Sequence, residues 1–207
     1  MSSLLKRRAE KVSTVHRQAV TYLEAGLPGE ARRICEAFLQ RYPRHAGILN
    51  LGGVACFQCG VGSRGIQMLE AALKAYSEAL SLQPGHADAA YNSGVALQEM
   101  GRFDEAIRYY RQALEARPGY VEVHVNLGYA LHQTGKIDEA QVAYENAIKL
   151  APDHAQAHVN LGDLYLDQED LGSAGALCDR YLDAHPGDSA LLAFKSIVLD
   201  ELGNGDA

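Results

Sequence analysis

Residues 87–120 and 121–154 align without a gap, and eleven of the 34 paired positions are identical. The identities are Asn92/Asn126, Gly94/Gly128, Ala96/Ala130, Leu97/Leu131, Gly101/Gly135, Asp104/Asp138, Glu105/Glu139, Ala106/Ala140, Tyr110/Tyr144, Ala113/Ala147 and Pro118/Pro152. A period of this length carrying two helical patterns signals an array of helix pairs, in which each unit buries its apolar face against its neighbours. An all-α solenoid is the fold class expected.

The register extends in both directions. Counting back from Pro43 gives a first unit, 12–45, behind an N-terminal helical extension, 1–11. The second unit, 46–86, is seven residues too long. Seven residues are two helical turns and return an apolar face to within about 20° of its direction, so the insertion can lengthen the second helix, near 65–82, without turning its core face outward. Which end carries the extra length is open. Units three and four are the aligned pair. A fifth, 155–188, keeps Asn160, Leu161, Gly162, Ala174 and Pro186 but has Glu169 where a helix-ending Gly stands and Tyr181 in place of Ala. A half-repeat or capping helix, 189–207, follows.

Within each unit, Gly or Ala at position 8 and Ala at position 20 let two helices approach, and Tyr at position 24 fills the space beside them. Pro at position 32 ends the second helix. Asn92-x-Gly94, Gly101, Ala106, Tyr110, Ala113 and Pro118 resemble the tetratricopeptide repeat (TPR) family, as do Asn126-Leu127-Gly128, Gly135, Ala140, Tyr144, Ala147 and Pro152. The resemblance covers about residues 12–202. It implies a right-handed superhelix of antiparallel helix pairs whose concave groove, lined by the first helices, takes an extended peptide or a helix of another protein. Carried over position by position, the groove residues are Asp88, Tyr91, Asn92, Val95 and Glu99, then Glu122, Val125, Asn126, Tyr129 and Gln133, then Gln156, Asn160, Asp163 and Asp167. Asn92, Asn126 and Asn160 would form a ladder, similar to that in the TPR region of O-linked N-acetylglucosamine transferases. Each amide offers two donors and an acceptor, which suits a peptide backbone of any sequence.

Charge narrows the partner. The net charge is −7, but residues 1–45 carry nine Lys/Arg against four Asp/Glu, whereas 46–207 carry ten against twenty-two. Nucleic acid needs clustered cations and is not expected. TPR modules that clamp acidic tails use Lys and Arg where this chain has Asp88, Glu122 and Gln156, so a neutral or basic segment is the expected ligand. No run of eighteen apolar residues occurs, so no membrane span is expected, and a start without an apolar run after Lys6-Arg7-Arg8 does not read as a secretory signal. Four cysteines without a small disulfide scaffold suit a reducing compartment, here the cytoplasm.

Several motifs imitate chemistry. Cys56-Phe-Gln-Cys59 lacks a second pair for zinc, and Cys35, Cys56 and Cys178 fall on packing positions. Gly60-Val-Gly62-Ser-Arg-Gly65 lacks the strand a dinucleotide site requires. His45, His86 and His154 share position 34, and His124 and His158 share position 4, which points to duplicated structure rather than a metal site. Neither a cofactor nor an enzyme site is expected. The function expected is a protein–protein interaction scaffold. Two alternatives stand beside it: the N-terminal recruiting arm of a longer glycosyltransferase, sulfotransferase or oxygenase, and a scaffold that self-associates through Ser189–Leu202, whose helix carries more aliphatics than one buried stripe needs.

Overall fold

The computed structural model describes residues 3–60 and 65–204. Its described residues form eleven α-helices and no strand. They fall into two units, 1–118 and 119–207.

The first unit holds α1 (Ser3–Glu24), α2 (Pro28–Arg41), α3 (Ala46–Gly60), α4 (Gly65–Leu82), α5 (Ala87–Glu99) and α6 (Phe103–Ala116). The second holds α7 (Val121–Gln133), α8 (Ile137–Leu150), α9 (Ala155–Asp167), α10 (Leu171–Ala184) and α11 (Ser189–Asn204). In each unit every helix packs on its successor, and the odd-numbered helices also touch one another in sequence. That nearest-neighbour pattern is the one a repeat array produces.

The small residues act as the spacing implies. A Cβ added at Gly94 would lie 2.4 Å from Cε1 of Tyr110, and one at Gly128 would lie 2.5 Å from Cε1 of Tyr144. Both rings are fully buried, so glycine at position 8 is the cavity into which the aromatic ring is set. Gly53 meets Tyr76 in the same way. Gly162 differs: its neighbour is Phe194 of α11, because position 24 of that repeat holds the smaller Cys178. The terminal helix thus supplies the ring that the fifth repeat lacks. Leu191, Phe194 and Val198 are buried with Ala174, Cys178 and Tyr181, while Leu192, Ile197, Leu199 and Leu202 remain exposed.

The long second repeat places its extra residues ahead of Tyr76. Helix α4 has 18 residues against 14 in α6, yet Leu82 follows Tyr76 as closely as Ala116 follows Tyr110. Four residues, about one turn, therefore extend the start of α4. Helix α3 is also longer than α5, 15 residues against 13, and the remaining residue falls in 61–64, outside the described residues. The insertion is shared between both helices rather than making two turns of one.

Helix ends explain the recurring histidines. His86 Nδ1 accepts from the Ala89 N–H and His154 Nδ1 from the Ala157 N–H, both at 3.3 Å, and His45 Nδ1 accepts from the Ile48 N–H at 3.2 Å. A side-chain acceptor at this point satisfies an amide the first turn leaves open. Position 34 is an N-cap, and Asp188 fills it before α11 by accepting from the Ala190 and Leu191 amides.

Candidate binding faces on the first helices

In the first unit the face in question belongs to α3 and α5. Asn92 Nδ2 donates to Asn50 Oδ1 at 3.0 Å, so two half-buried amides join neighbouring first helices. Asn50 escaped the sequence reading because register with Gly53 puts it one position before its counterparts. Asp88 accepts from both terminal nitrogens of Arg117, at 3.0 and 3.4 Å, so its charge is answered within the unit. Glu99 is exposed, Tyr91 and Val95 are half-buried, and the Tyr91 ring centroid lies 6.3 Å from that of Tyr110. Below them the Tyr110 hydroxyl donates to Gln98 Oε1 at 3.0 Å.

In the second unit the corresponding face belongs to α7 and α9. Tyr129 is exposed, as are Glu122, Gln133, Gln156, Asp163 and Asp167, while Asn126 and Asn160 are half-buried. Val125 is only 6% exposed and packs with Ala147 and Ala157. It belongs to the base of the face rather than its contact surface. Gln156 Nε2 donates to Asn160 Oδ1 at 2.7 Å, a bond that uses one of the four amide hydrogens of the two side chains.

The chemistry of the second face departs from that of the first at position 12. Gln98 is replaced there by His132, whose Nε2 lies 2.7 Å from Asp167 Oδ2 on the next first helix. Drawn to Asp167, His132 does not serve the Tyr144 hydroxyl, which is buried and has no hydrogen-bond partner among the described residues. Burial pushes the Tyr144 phenol up, helped by the nearby Asp163 and Tyr129. Asp163 itself is held above the usual carboxylate range, first by loss of water around it and then by Asp167, against a smaller opposing pull from His132. Two carboxylates one helical turn apart, with one histidine against Asp167, leave this face acidic.

Among the described residues no group of three His, Cys, Asp or Glu is placed to hold a metal. All four cysteines are free thiols. Burial pushes Cys35 up to about 11 and raises Cys56 and Cys178, the opposite of what a thiolate nucleophile needs. Of the glycine motif, residues 61–64 lie outside the described residues, and so do the side chains of Lys6, Arg7 and Arg8. No described helix is long and apolar enough to cross a membrane.

Four family models, each described as tetratricopeptide repeat, match residues 16–45, 44–119, 97–145 and 126–189. A search of curated protein sequences finds no match. Among solved structures, PilF of Pseudomonas aeruginosa is similar at a TM-score of 0.79 and 19% identity, covering 96% of this chain and 87% of its own. MamA of Desulfovibrio magneticus RS-1 is similar at 0.74 and 20%, covering 86% of this chain and 97% of its own. YrrB, described as a TPR protein with an unusual peptide-binding site, is similar at 0.70 and 20%, covering 94% of this chain and 98% of its own. At these identities the likeness concerns the fold.

Proposed function

The chain belongs to the tetratricopeptide repeat family, and we propose that it is a non-enzymatic interaction scaffold whose first-helix faces hold a peptide or helix of a partner protein. The observation that carries the reading is the Asn50–Asn92 bridge, which places paired side-chain amides on a face otherwise lined by Tyr91, Val95 and Glu99. Side-chain amides serve a peptide backbone whatever its side chains, because each can both donate and accept. Selectivity then comes from charge. Asp163 and Asp167 on α9, with Glu122 and the exposed Tyr129 on α7, favour a segment bearing Lys or Arg over an acidic tail. The peptide-binding site named for YrrB supports this reading by analogy.

The experiment is calorimetric titration of peptides selected from a random library on the immobilised chain. Replacing Asn92, Asn126 and Asn160 by Ala together weakens them about tenfold or more, at roughly 0.5–1.5 kcal/mol per lost bond, with helical circular dichroism unchanged. Affinity equal to that of the parent removes the amides from the account.

The exposed Leu192, Leu199 and Leu202 of α11 favour a second reading, self-association through that helix. Sedimentation showing a monomer at high concentration would exclude it.

A further inference from the structure

A cavity of about 470 Å³ opens on the side of the second unit formed by the even-numbered helices, between α8 and α10 with α9 as its floor. Its size is that of a small-molecule site. The floor is His158, Leu161 and Tyr165, which are positions 4, 7 and 11 of the repeat. The same three positions, as Leu49, Gly52 and Cys56, floor a smaller cavity of about 330 Å³ in the first unit. The notch thus recurs with the architecture, and its chemistry is set by what each repeat places there.

In the second unit the walls are apolar and the rim is not. Ile148, Leu161 and Leu177 supply hydrocarbon, and Lys149 from α8 and Arg180 from α10 supply two cations. Among the described residues neither cation is ion-paired. Two acidic groups share the rim: Glu145 accepts from Gln141 Nε2 at 2.8 Å, and Asp153 Oδ1 lies 3.2 Å from Nε2 of His185, which also lines the notch. The departure at position 27 completes the site. Tyr181 stacks on His185, with ring centroids 4.4 Å apart, and meets His158 at a tilt of 55° with centroids 4.5 Å apart; its hydroxyl is anchored on the Asp153 carbonyl and the Asp188 carboxylate.

His158 is buried, and its Nδ1 lies 3.2 Å from the His154 carbonyl oxygen, which can only accept. The hydrogen therefore sits on Nδ1, and Nε2 on the opposite ring edge is an acceptor. Its pKa is lowered first by burial, opposed by the His154 carbonyl bond, and lowered further by the charges of Arg180, His185 and His154.

We propose that this notch is a second ligand site, separate from the first-helix faces, and that it takes a carboxylate carried on an apolar body. The body lies on Ile148, Leu161 and Leu177, and the carboxylate meets Arg180 and Lys149 at the rim. A guanidinium fork and an ammonium hold a carboxylate through charge-assisted hydrogen bonds, while the apolar walls take its hydrocarbon body. Two sources present this chemistry: a free aliphatic or aromatic acid, and the C-terminal residue of a peptide.

The test titrates the full chain, which lacks tryptophan, by calorimetry and by histidine resonances in NMR. The probes are 4-phenylbutyrate with its uncharged amide, and acetyl-glycyl-phenylalanine with its C-terminal amide. The expected result is saturable binding of at least one acid, about tenfold tighter than its amide. The His158 pKa rises on binding, because a ligand anion stabilises the imidazolium. The double variant Arg180→Met, Lys149→Met keeps the aliphatic stems and loses this preference, while its helical circular dichroism stays unchanged. The Asn92→Ala, Asn126→Ala, Asn160→Ala variant binds the acid as the parent does, so failure of the first-helix account leaves this result standing. Tighter binding of phenylbutyrate assigns the site to free acids, and tighter binding of the dipeptide assigns it to a chain terminus. Equal affinity for acid and amide, no saturation by either acid, or a preference for acid that persists in the double variant overturns the proposal.

Discussion

Single residues show where the repeat is kept and where it is broken. The turn after the first helix uses glycine with positive φ at Gly26, Gly101 and Gly135, at 70–73°. The fifth repeat places Glu169 there at φ 59°. A side chain in the left-handed region costs about 1–2 kcal/mol, and glycine returns part of that through its freer unfolded chain. Glu169→Gly is therefore expected to raise stability by about 0.5–1 kcal/mol in urea unfolding. The paired tyrosines give a sharper contrast. Tyr110→Phe removes a bond to Gln98 and should cost about 1 kcal/mol, whereas Tyr144→Phe removes a buried hydroxyl with no described partner and should be neutral or stabilising. Equal losses at the two positions would show that the Tyr144 hydroxyl is satisfied after all.

At the scale of helices, much was legible because repetition states the packing several times. Gly94 and Tyr110 recur as Gly128 and Tyr144, so the close approach of paired helices could be read from spacing before any coordinate. What could not be read lies where one repeat borrows from the next. Gly162 is met by Phe194, a residue of another repeat, and no pattern within residues 155–188 announces that exchange. The Asn50–Asn92 bridge was hidden by a one-position offset, and the His132–Asp167 pair by its crossing between repeats. The N-cap role of His86 and His154 was concealed because histidine ranks below Ser, Asp and Asn at that position. Helix α11 can be tested as a working part of the second unit. Gly162→Ala places a Cβ about 2.3 Å from the Phe194 ring and should cost about 1–3 kcal/mol. In a Phe194→Leu background the same change should cost less, a coupling that a double-mutant cycle measures. Additive losses would mean that the two side chains do not meet.

For the whole molecule, the family and the fold were legible in the sequence, but not the individuality of the two units. In the first unit the acid at Asp88 is answered by Arg117, and the amides of Asn50 and Asn92 bridge two helices. In the second unit His132 lies 2.7 Å from Asp167 and near Asp163, and an apolar-walled notch carrying Lys149 and Arg180 lies on its even-numbered helices. Identical repeat geometry thus carries different chemistry wherever a substitution falls on a surface position, since the solenoid constrains only what is packed. The selector proposed for the partner is the charge of α9. The most direct measurement is panning one random peptide library on the intact chain and on the isosteric variant Asp163→Asn, Asp167→Asn, followed by sequencing of the retained peptides. Enrichment of Lys- and Arg-bearing peptides by the parent, lost in the variant, is the result expected. Enrichment of acidic peptides by the parent, or the same basic peptides on both proteins, would contradict it.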